Sequence, residues 1–195
     1  MRAYAVPKVA WIRSKIKLDG CSLLEVGAGN GYMTHELMKY CEVTALDISK
    51  TQLRYNPVDR KVVGSAYELP FNNSSFDVVL CANLLHHLNN PSRAIAEMER
   101  VARRYVVVSE PNRKNPYTAL AAMIPFLLPK DEWNIRHFTR SFLIRTLEAG
   151  TLRVIHHIYQ GGMVSPKVNP RFLLRFSLPD STSSLSTFQV AIAEK

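Results

Sequence analysis

The sequence predicts a doubly wound α/β domain with a mostly parallel, seven-stranded sheet whose final strand is antiparallel. Three observations support this fold class. Short apolar runs alternate with amphipathic segments along the 195 residues, which is the pattern of β-α-β units. Right-handed crossovers between such units give a parallel sheet with helices on both faces. A glycine-rich turn follows the first run, as is typical of the carboxyl edge of such a sheet.

The predicted strands are short apolar runs in which Val, Leu and Ile predominate. They cover residues 22–26, 42–46, 61–63, 76–81, 104–109, 152–159 and 187–193. Helices are predicted over residues 32–39, 91–103 and 141–148, where apolar residues recur at helical spacing. Pro91 suits a first helical turn, Gly150 ends the last helix, and Ser49 is a candidate cap for a short helix after the second strand.

Length and composition favour one globular domain over residues 1–195. Within it, residues 1–20 are predicted to form an N-terminal cover. The apolar segment 112–137 is a candidate substrate lid, with an ordinary packed helix and loop as the alternative. Its longest apolar stretch, 119–128, is broken by Pro125 and is shorter than the roughly 20 residues of a membrane span. We find no secretory signal and expect a cytoplasmic protein without a transmembrane segment.

Charge and cysteine content leave the partners open. The 25 Lys and Arg residues against 16 Asp and Glu give a net charge of +9, which permits nucleic-acid binding without favouring it. The three cysteines, Cys21, Cys41 and Cys81, show no C-x-x-C spacing. They are predicted to be buried free thiols, and no metal site is expected. The sequence does not indicate an oligomeric state.

The strongest signal is the run Glu25-Val26-Gly27-Ala28-Gly29-Asn30-Gly31 between a predicted strand and a predicted helix. Residues without side chains allow a tight turn and let a ligand approach the backbone. Asp47 closes the neighbouring strand, where a carboxylate can accept hydrogen bonds from ribose hydroxyls. The two elements together predict a site for a nucleoside-type cofactor.

The spacing of the glycines argues against a dinucleotide. A dinucleotide fingerprint needs its third glycine at position 32, which is Tyr32 here, so a nicotinamide dehydrogenase is disfavoured.

The ordered series of motifs resembles the class I S-adenosylmethionine-dependent methyltransferases, in particular the branch that acts on quinones and other lipophilic small molecules. The resemblance covers about residues 20–160. It lies in the glycine run above and in four further segments: Leu46-Asp47-Ile48-Ser49, residues 63–71, residues 75–79 with Asn83-Leu84-Leu85-His86-His87-Leu88, and Arg136-His137-Phe138-Thr139.

The resemblance implies that S-adenosylmethionine is the cofactor, and it assigns roles to individual residues. Asp47 would hold the ribose hydroxyls, Ile48 would pack on the adenine, and Asn83 would face the methionine amino group. The family usually has Asp where this chain has Ser65, a neutral and weaker acceptor for the adenine amine. Glu25 would either touch the cofactor or shape the loop. The full set of implied cofactor residues is Glu25, Gly27, Ala28, Gly29, Gly31, Asp47, Ile48, Ser65, Ala66 and Asn83.

Methyl transfer from a sulfonium needs a well-placed nucleophile and a base only where the acceptor must lose a proton. The catalytic residue is therefore left open among four candidates: His87, His86, Glu110 and His137. Each also has a structural explanation, such as a loop hydrogen bond.

The sequence favours a methyltransferase for a small, lipophilic or aromatic acceptor. One alternative is a methyltransferase for RNA or another macromolecule, although the Asn/Asp-Pro-Pro-Tyr signature of many amino-group methylating enzymes is replaced here by Asn83-Leu84-Leu85-His86. The other alternative is a non-catalytic module that binds the cofactor.

Overall fold

The computed structural model describes residues 2–115, 138–160, 186 and 188–195. Its centre is a seven-stranded sheet with strands β1 (Ser22–Val26), β2 (Glu42–Asp47), β3 (Lys61–Val63), β4 (Phe76–Ala82), β5 (Ala102–Pro111), β6 (Arg153–Gln160) and β7 (Phe188–Glu194). Their order is β3-β2-β1-β4-β5-β7-β6. Strand β7 runs antiparallel to β5 and β6, and the other pairs are parallel. The predicted fold class is confirmed.

The strand order reverses between β1 and β4. The chain builds the sheet outward through β2 and β3, then returns to place β4 on the other side of β1. Loops that leave β1 and β4 therefore diverge to opposite faces, and a crevice opens between them at the carboxyl edge. This crevice is the position at which doubly wound sheets bind ligands.

Helices cover both faces of the sheet. They are α1 (Arg2–Lys15), α2 (Thr34–Leu37), α3 (Lys50–Leu53), α4 (Pro91–Val101) and α5 (Arg140–Leu147), with a 3₁₀ turn at Leu85–His87. One core contains Met98 of α4 and Leu143 of α5 packed against β4 and β5. The other contains Val9 and Ile12 of α1 packed with the opposite faces of the same strands. Apolar residues of the central strands are thus buried on both sides.

The N-terminal segment, whose secondary structure the sequence left unassigned, forms helix α1. Its side chains Ala5, Val9 and Ile12 are buried in the second core, followed by Ile16 and Leu18 beyond the helix. Pro7 lies within α1, and its carbonyl accepts a hydrogen bond from Gln160 Nε2 at 3.1 Å. The helix is therefore tied to strand β6 as well as packed on the sheet.

Three predicted elements differ from the structure by two residues at one or both ends. The helix predicted over residues 32–39 is only Thr34–Leu37, because residues after it continue in turns closed by hydrogen bonds such as Tyr40 N to Leu37 O. Helix α4 ends at Val101, two residues before its predicted end, because Ala102 already pairs with Phe76. Strand β5 is longer than predicted at both ends, and it continues to Pro111 because β7 supplies a partner there.

Within the described part of the chain, no helix is both long enough and apolar enough to span a bilayer. Most of the candidate lid, residues 116–137, lies outside the described residues.

Candidate active site

The glycine run forms a tight turn that is held against the end of strand β2. The N–H groups of Gly27 and Ala28 both donate to the carbonyl of Leu46, at 2.8 and 3.0 Å. The Gly29 N–H donates to Asp47 Oδ2 at 2.8 Å. These bonds bring the loop after β1 and the carboxylate at the end of β2 together, as the sequence predicted.

Gly31 is required by close packing. Its φ is +90°, and an added Cβ would overlap the ring of Pro57 and lie 3.0 Å from Asn56 Cγ. Beside Gly29, by contrast, a Cβ would have only Asp47 Oδ2 near it, at 4.0 Å. The turn is thus packed from behind at Gly31 and open at Gly29, where a ligand can lie against the backbone.

Asp47 has unused acceptor capacity. Its Oδ2 accepts from Gly29 and its Oδ1 accepts from the Ser49 N–H at 2.7 Å, while the side chain remains half-buried. A carboxylate has about four lone-pair sites, so each oxygen can accept one further bond from a diol. The two backbone donors fix its orientation in advance.

An apolar platform lies next to this carboxylate. The side chain of Ile48 is 77% exposed, which is unusual for isoleucine and leaves a flat apolar surface for a ring. Across the crevice, Ala66 is buried and Ser65 is half-buried, with the Ser65 hydroxyl accepting the Tyr67 N–H at 3.1 Å. Ser49 caps α3 as predicted, by accepting from Gln52.

Glu25 is buried beneath the turn. Its Oε2 accepts a hydrogen bond from the Thr34 hydroxyl at 2.6 Å, and that hydroxyl accepts from Asn56 Nδ2 at 2.9 Å. Burial raises the pKa of Glu25 to about 8, the charge of Asp47 acts in the same direction, and the bond from Thr34 acts in the opposite one. The Asn56 amide also donates to Gly29 O at 3.3 Å. Glu25 is therefore part of the support of the loop.

A second loop approaches the crevice from β4. Asn83 has φ +54°, a left-handed conformation that asparagine tolerates better than most residues, and its N–H donates to Ser109 O at 2.8 Å. Leu84 follows, and its side chain packs behind Gly27, where a Cβ would lie 2.8 Å from Leu84 Cδ1. The two loops therefore support each other.

Glu110, at the end of β5, holds this second loop in place. It is fully buried, and its Oε1 accepts the N–H groups of Leu84 and Leu85 at 3.0 and 2.8 Å. Its Oε2 lies 2.6 Å from Nδ1 of His86, which is itself only 3% exposed. Because a carboxylate can only accept, Nδ1 is the donor in this bond, and Nε2 is the ring nitrogen left to face another partner.

The other histidine candidates are placed differently. His87 is exposed, with its ring centroid 4.0 Å from that of His86. His137 lies outside the described residues, whereas its neighbour Phe138 is buried with its ring centroid 6.3 Å from His86. Of the four candidates, the structure joins only Glu110 and His86 by a hydrogen bond among the described side chains.

Comparison with known proteins identifies the family. A family model described as "Methyltransferase domain" matches residues 24–107, which include both loops. A ubiquinone biosynthesis O-methyltransferase from Coxiella burnetii is 26% identical over 164 residues, covering 76% of this chain and 70% of that protein. A protein of the same name from Azotobacter vinelandii is 28% identical over 152 residues, covering 68% and 64%. Residues 24–107 thus match a methyltransferase domain, and the findings together support a class I S-adenosylmethionine-dependent methyltransferase.

Solved structures share the fold of this methyltransferase. A possible histamine N-methyltransferase from Thermotoga maritima superposes with a TM-score of 0.77 at 16% identity, covering 98% of this chain and 89% of that one. The magnesium protoporphyrin IX methyltransferase of Synechocystis PCC 6803, solved with bound S-adenosylmethionine, gives a TM-score of 0.64 at 15% identity, covering 100% and 79%.

The geometry fits S-adenosylmethionine, the cofactor of the methyltransferase. The open face at Gly29 can take an extended chain, Asp47 has acceptors left for a ribose, and Ile48 offers an apolar surface to a purine.

Sequence reasoning did not identify the residues that support the site from behind. Asn56 and Pro57 contact the glycine turn from a stretch that carries no motif, and Leu84 was noted only as part of a motif. Arg100 was also missed: from α4 it donates to the carbonyls of Leu69 and Phe71 at 2.9 and 2.8 Å. These contacts join residues far apart in sequence, so no local pattern signals them.

Proposed function

We propose that the methyltransferase transfers the methyl group of S-adenosylmethionine to a hydroxyl oxygen of a small, lipophilic or aromatic acceptor. The observation that carries the proposal is the Glu110–His86 pair, set in an apolar wall at the carboxyl edge. Half-buried Leu84 and Leu88, buried Leu85 and buried Phe138 belong to the same cluster. Relatives named ubiquinone biosynthesis O-methyltransferase support an acceptor of this class.

The proposed cofactor positions are those that the family resemblance implies, and the contacts of each loop support them. Asp47 accepts the two ribose hydroxyls, and Ile48 packs on one face of the adenine. Ser65 and Ala66 line the edge of the ring, with the Ser65 hydroxyl as a neutral partner for the adenine amine. Gly27, Ala28, Gly29 and Gly31 accommodate the methionine chain, Asn83 faces its amino group, and Glu25 supports the turn.

Bound S-adenosylmethionine supplies a methyl group already activated by a positively charged sulfur. The protein therefore needs no covalent intermediate, and its task is to align the acceptor oxygen and exclude water. Glu110 performs positioning: it orients His86 and fixes the backbone of Leu84 and Leu85 at once. With Nδ1 bonded to Glu110, His86 presents Nε2 as the base for the proton of the acceptor hydroxyl.

Methyl transfer to defined acceptors tests the proposed function. The purified protein is incubated with methyl-labelled S-adenosylmethionine and a panel of phenols and catechols with and without an isoprenyl chain, beside histamine and total RNA. We expect label in the catechols, most in those with an apolar chain. Label in RNA or in the amine alone would contradict the proposal.

The role of His86 is tested separately. His86→Gln should lower kcat about 10²-fold or more, since general bases contribute about 10²–10⁴-fold, and should leave the affinity for S-adenosylhomocysteine within about twofold. His87→Gln is the matched control, because it makes the same change in an exposed histidine of the same turn. Equal losses in both variants would argue against His86 as the base.

A further inference from the structure

Two of the three cysteines meet at the edge of the sheet opposite to the cofactor crevice. Cys21 and Cys41 immediately precede β1 and β2, whose first residues, Ser22 and Glu42, are register partners. Two backbone hydrogen bonds flank the two cysteines. Gly20 N–H donates to Tyr40 O at 2.8 Å, and Glu42 N–H donates to Cys21 O at 2.9 Å. Neighbouring strands lie about 4.8 Å apart, so the two Cα atoms are within the separation of about 4.4–6.8 Å that a disulfide spans.

Both side chains lie in the same core, and both residues contact the Leu18 carbonyl, which accepts from Cys21 N at 3.0 Å and from Cys41 Sγ at 3.5 Å. Interaction between the two thiol groups lowers the pKa of Cys21 and raises the pKa of Cys41. Each residue is 8% exposed, and both are free thiols in this structure. A disulfide needs a short Cα separation and side chains on the same side of the sheet, and the register and the shared core support both for this pair.

Cys21 also lies in the wall of a small groove. It lines a groove of about 200 Å³ together with Lys17, Asp19, Asp77 and Arg104. Asp19 is paired with Arg13, and Asp77 is paired with Arg103. These pairings leave the positive charges of Lys17 and Arg104 to attract an anionic reagent into the groove. Cys41 does not line the groove, so it is suited to react second.

We propose that Cys21 and Cys41 form a thiol–disulfide exchange site that takes a small anionic disulfide such as oxidised glutathione. The Cys21 sulfur attacks one sulfur of the reagent, whose S–S bond breaks and releases one glutathione as thiol. Cys41 gives up its proton to solvent and attacks the Cys21 sulfur, and the mixed disulfide breaks to release the second glutathione. Two protein thiols are oxidised and one glutathione disulfide is reduced to two thiols.

Peptide mapping of the folded protein tests the site. The protein is incubated with oxidised glutathione, remaining thiols are blocked with N-ethylmaleimide, and it is digested with trypsin without reductant. Trypsin cuts after Lys39, between the two cysteines, so the disulfide joins peptide 18–39 to peptide 40–50. We expect this linked pair as the major oxidised product, lost on treatment with dithiothreitol.

Three variants separate the steps. Cys81→Ser is the matched control and should form the same linked pair, because Cys81 is fully buried elsewhere. Cys41→Ser should stop at one glutathione per chain on Cys21, and Cys21→Ser should take up none. Circular dichroism and binding of S-adenosylhomocysteine establish that each variant is folded. Free thiols at positions 21 and 41 in the treated, folded wild type, or glutathione on Cys81 instead, would overturn the proposal.

Discussion

At the scale of single residues, Asp47 connects the structure of the loop with ligand binding. Its carboxylate orients the turn through Gly29 and the start of α3 through Ser49, at 2.8 and 2.7 Å. The same oxygens remain able to accept hydroxyl groups from a ligand. One side chain therefore shapes the crevice and also offers acceptors to the proposed cofactor.

Replacing Asp47 tests this double role. Asp47→Ala should weaken S-adenosylhomocysteine binding by about 1–3 kcal/mol, or roughly 5- to 150-fold in Kd, since hydrogen bonds to charged groups contribute about that much. Asp47→Asn keeps one acceptor oxygen and should lose less. Isothermal titration calorimetry measures both. An unchanged Kd in the alanine variant would remove Asp47 from the site.

Glu25 gives a pH-dependent prediction. Its pKa is raised to about 8 in the folded protein from an ordinary value of 4.5. Between those pH values the folded state holds a proton that the unfolded state has released, so this group makes stability fall as pH rises, up to about pH 8. Glu25→Gln removes the effect.

We therefore expect the melting temperature of the ligand-free Glu25→Gln variant to exceed that of wild type at pH 8 by several degrees and to approach it at pH 5. Thermal unfolding across this pH range measures the difference. Glu42→Gln, at an exposed position on β2, is the control and should show no such trend. A gap that widens toward low pH would contradict the assignment.

At the scale of elements, helix α4 supports the loop that follows β3. Arg100 donates to Leu69 O and Phe71 O, and its partner Glu97 accepts the Leu69 N–H at 2.8 Å. The helix is itself started by Asn90, which accepts from Arg93 at 3.1 Å. Helix α4 thus holds the later part of the loop that begins with Ser65 and Ala66, the residues proposed to line the adenine.

Loss of these contacts should lower the free energy of unfolding. Arg100→Met keeps the apolar stem and leaves two carbonyls without their donor, which should cost about 1–3 kcal/mol in the free energy of unfolding. Arg60→Met is the matched control, because Arg60 makes only an exposed ion pair with Glu42 among the described residues, worth about 0–1 kcal/mol. Urea denaturation measures both, and equal effects would contradict a supporting role.

Elements with a strong local pattern could be predicted from the sequence, and elements shaped by distant partners could not. Strand β3 and the cap at Ser49 agree with prediction because β-branched residues and a capping serine act locally. The length of β5 could not be predicted, because residues 110 and 111 pair with a strand almost 80 positions later. The sequence indicated that Glu110 and His86 lie at the same crevice, but it could not predict the hydrogen bond between them.

At the scale of the whole molecule, α1 is the element that links the first residues to the last strands. Its apolar side chains share a core with Val190 and Ile192 of β7. Gln160 of β6 donates to Pro7 O. On this face of the sheet, residues more than 150 positions apart in the sequence are thus in contact.

Truncating one of these side chains should destabilise the whole protein. Ile12 is fully buried, so Ile12→Ala should cost about 2–4 kcal/mol in a cooperative unfolding transition. Ala10→Ser, on the exposed side of the same helix, should change stability by less than about 0.5 kcal/mol. Urea denaturation followed by both fluorescence and circular dichroism measures the two variants. A small loss of stability in Ile12→Ala would mean that α1 contributes little to the core that it shares with β7.

The hydrogen bonds that fix the glycine turn have a consequence for energetics. Bonds within the protein anchor Gly27, Ala28 and Gly29 to β2, and Asn56 holds the Gly29 carbonyl. A nucleoside bound at the proposed site would therefore contact a segment whose backbone entropy was lost when the chain folded. Less of its interaction energy is consumed in freezing that segment, and more of it is retained as affinity.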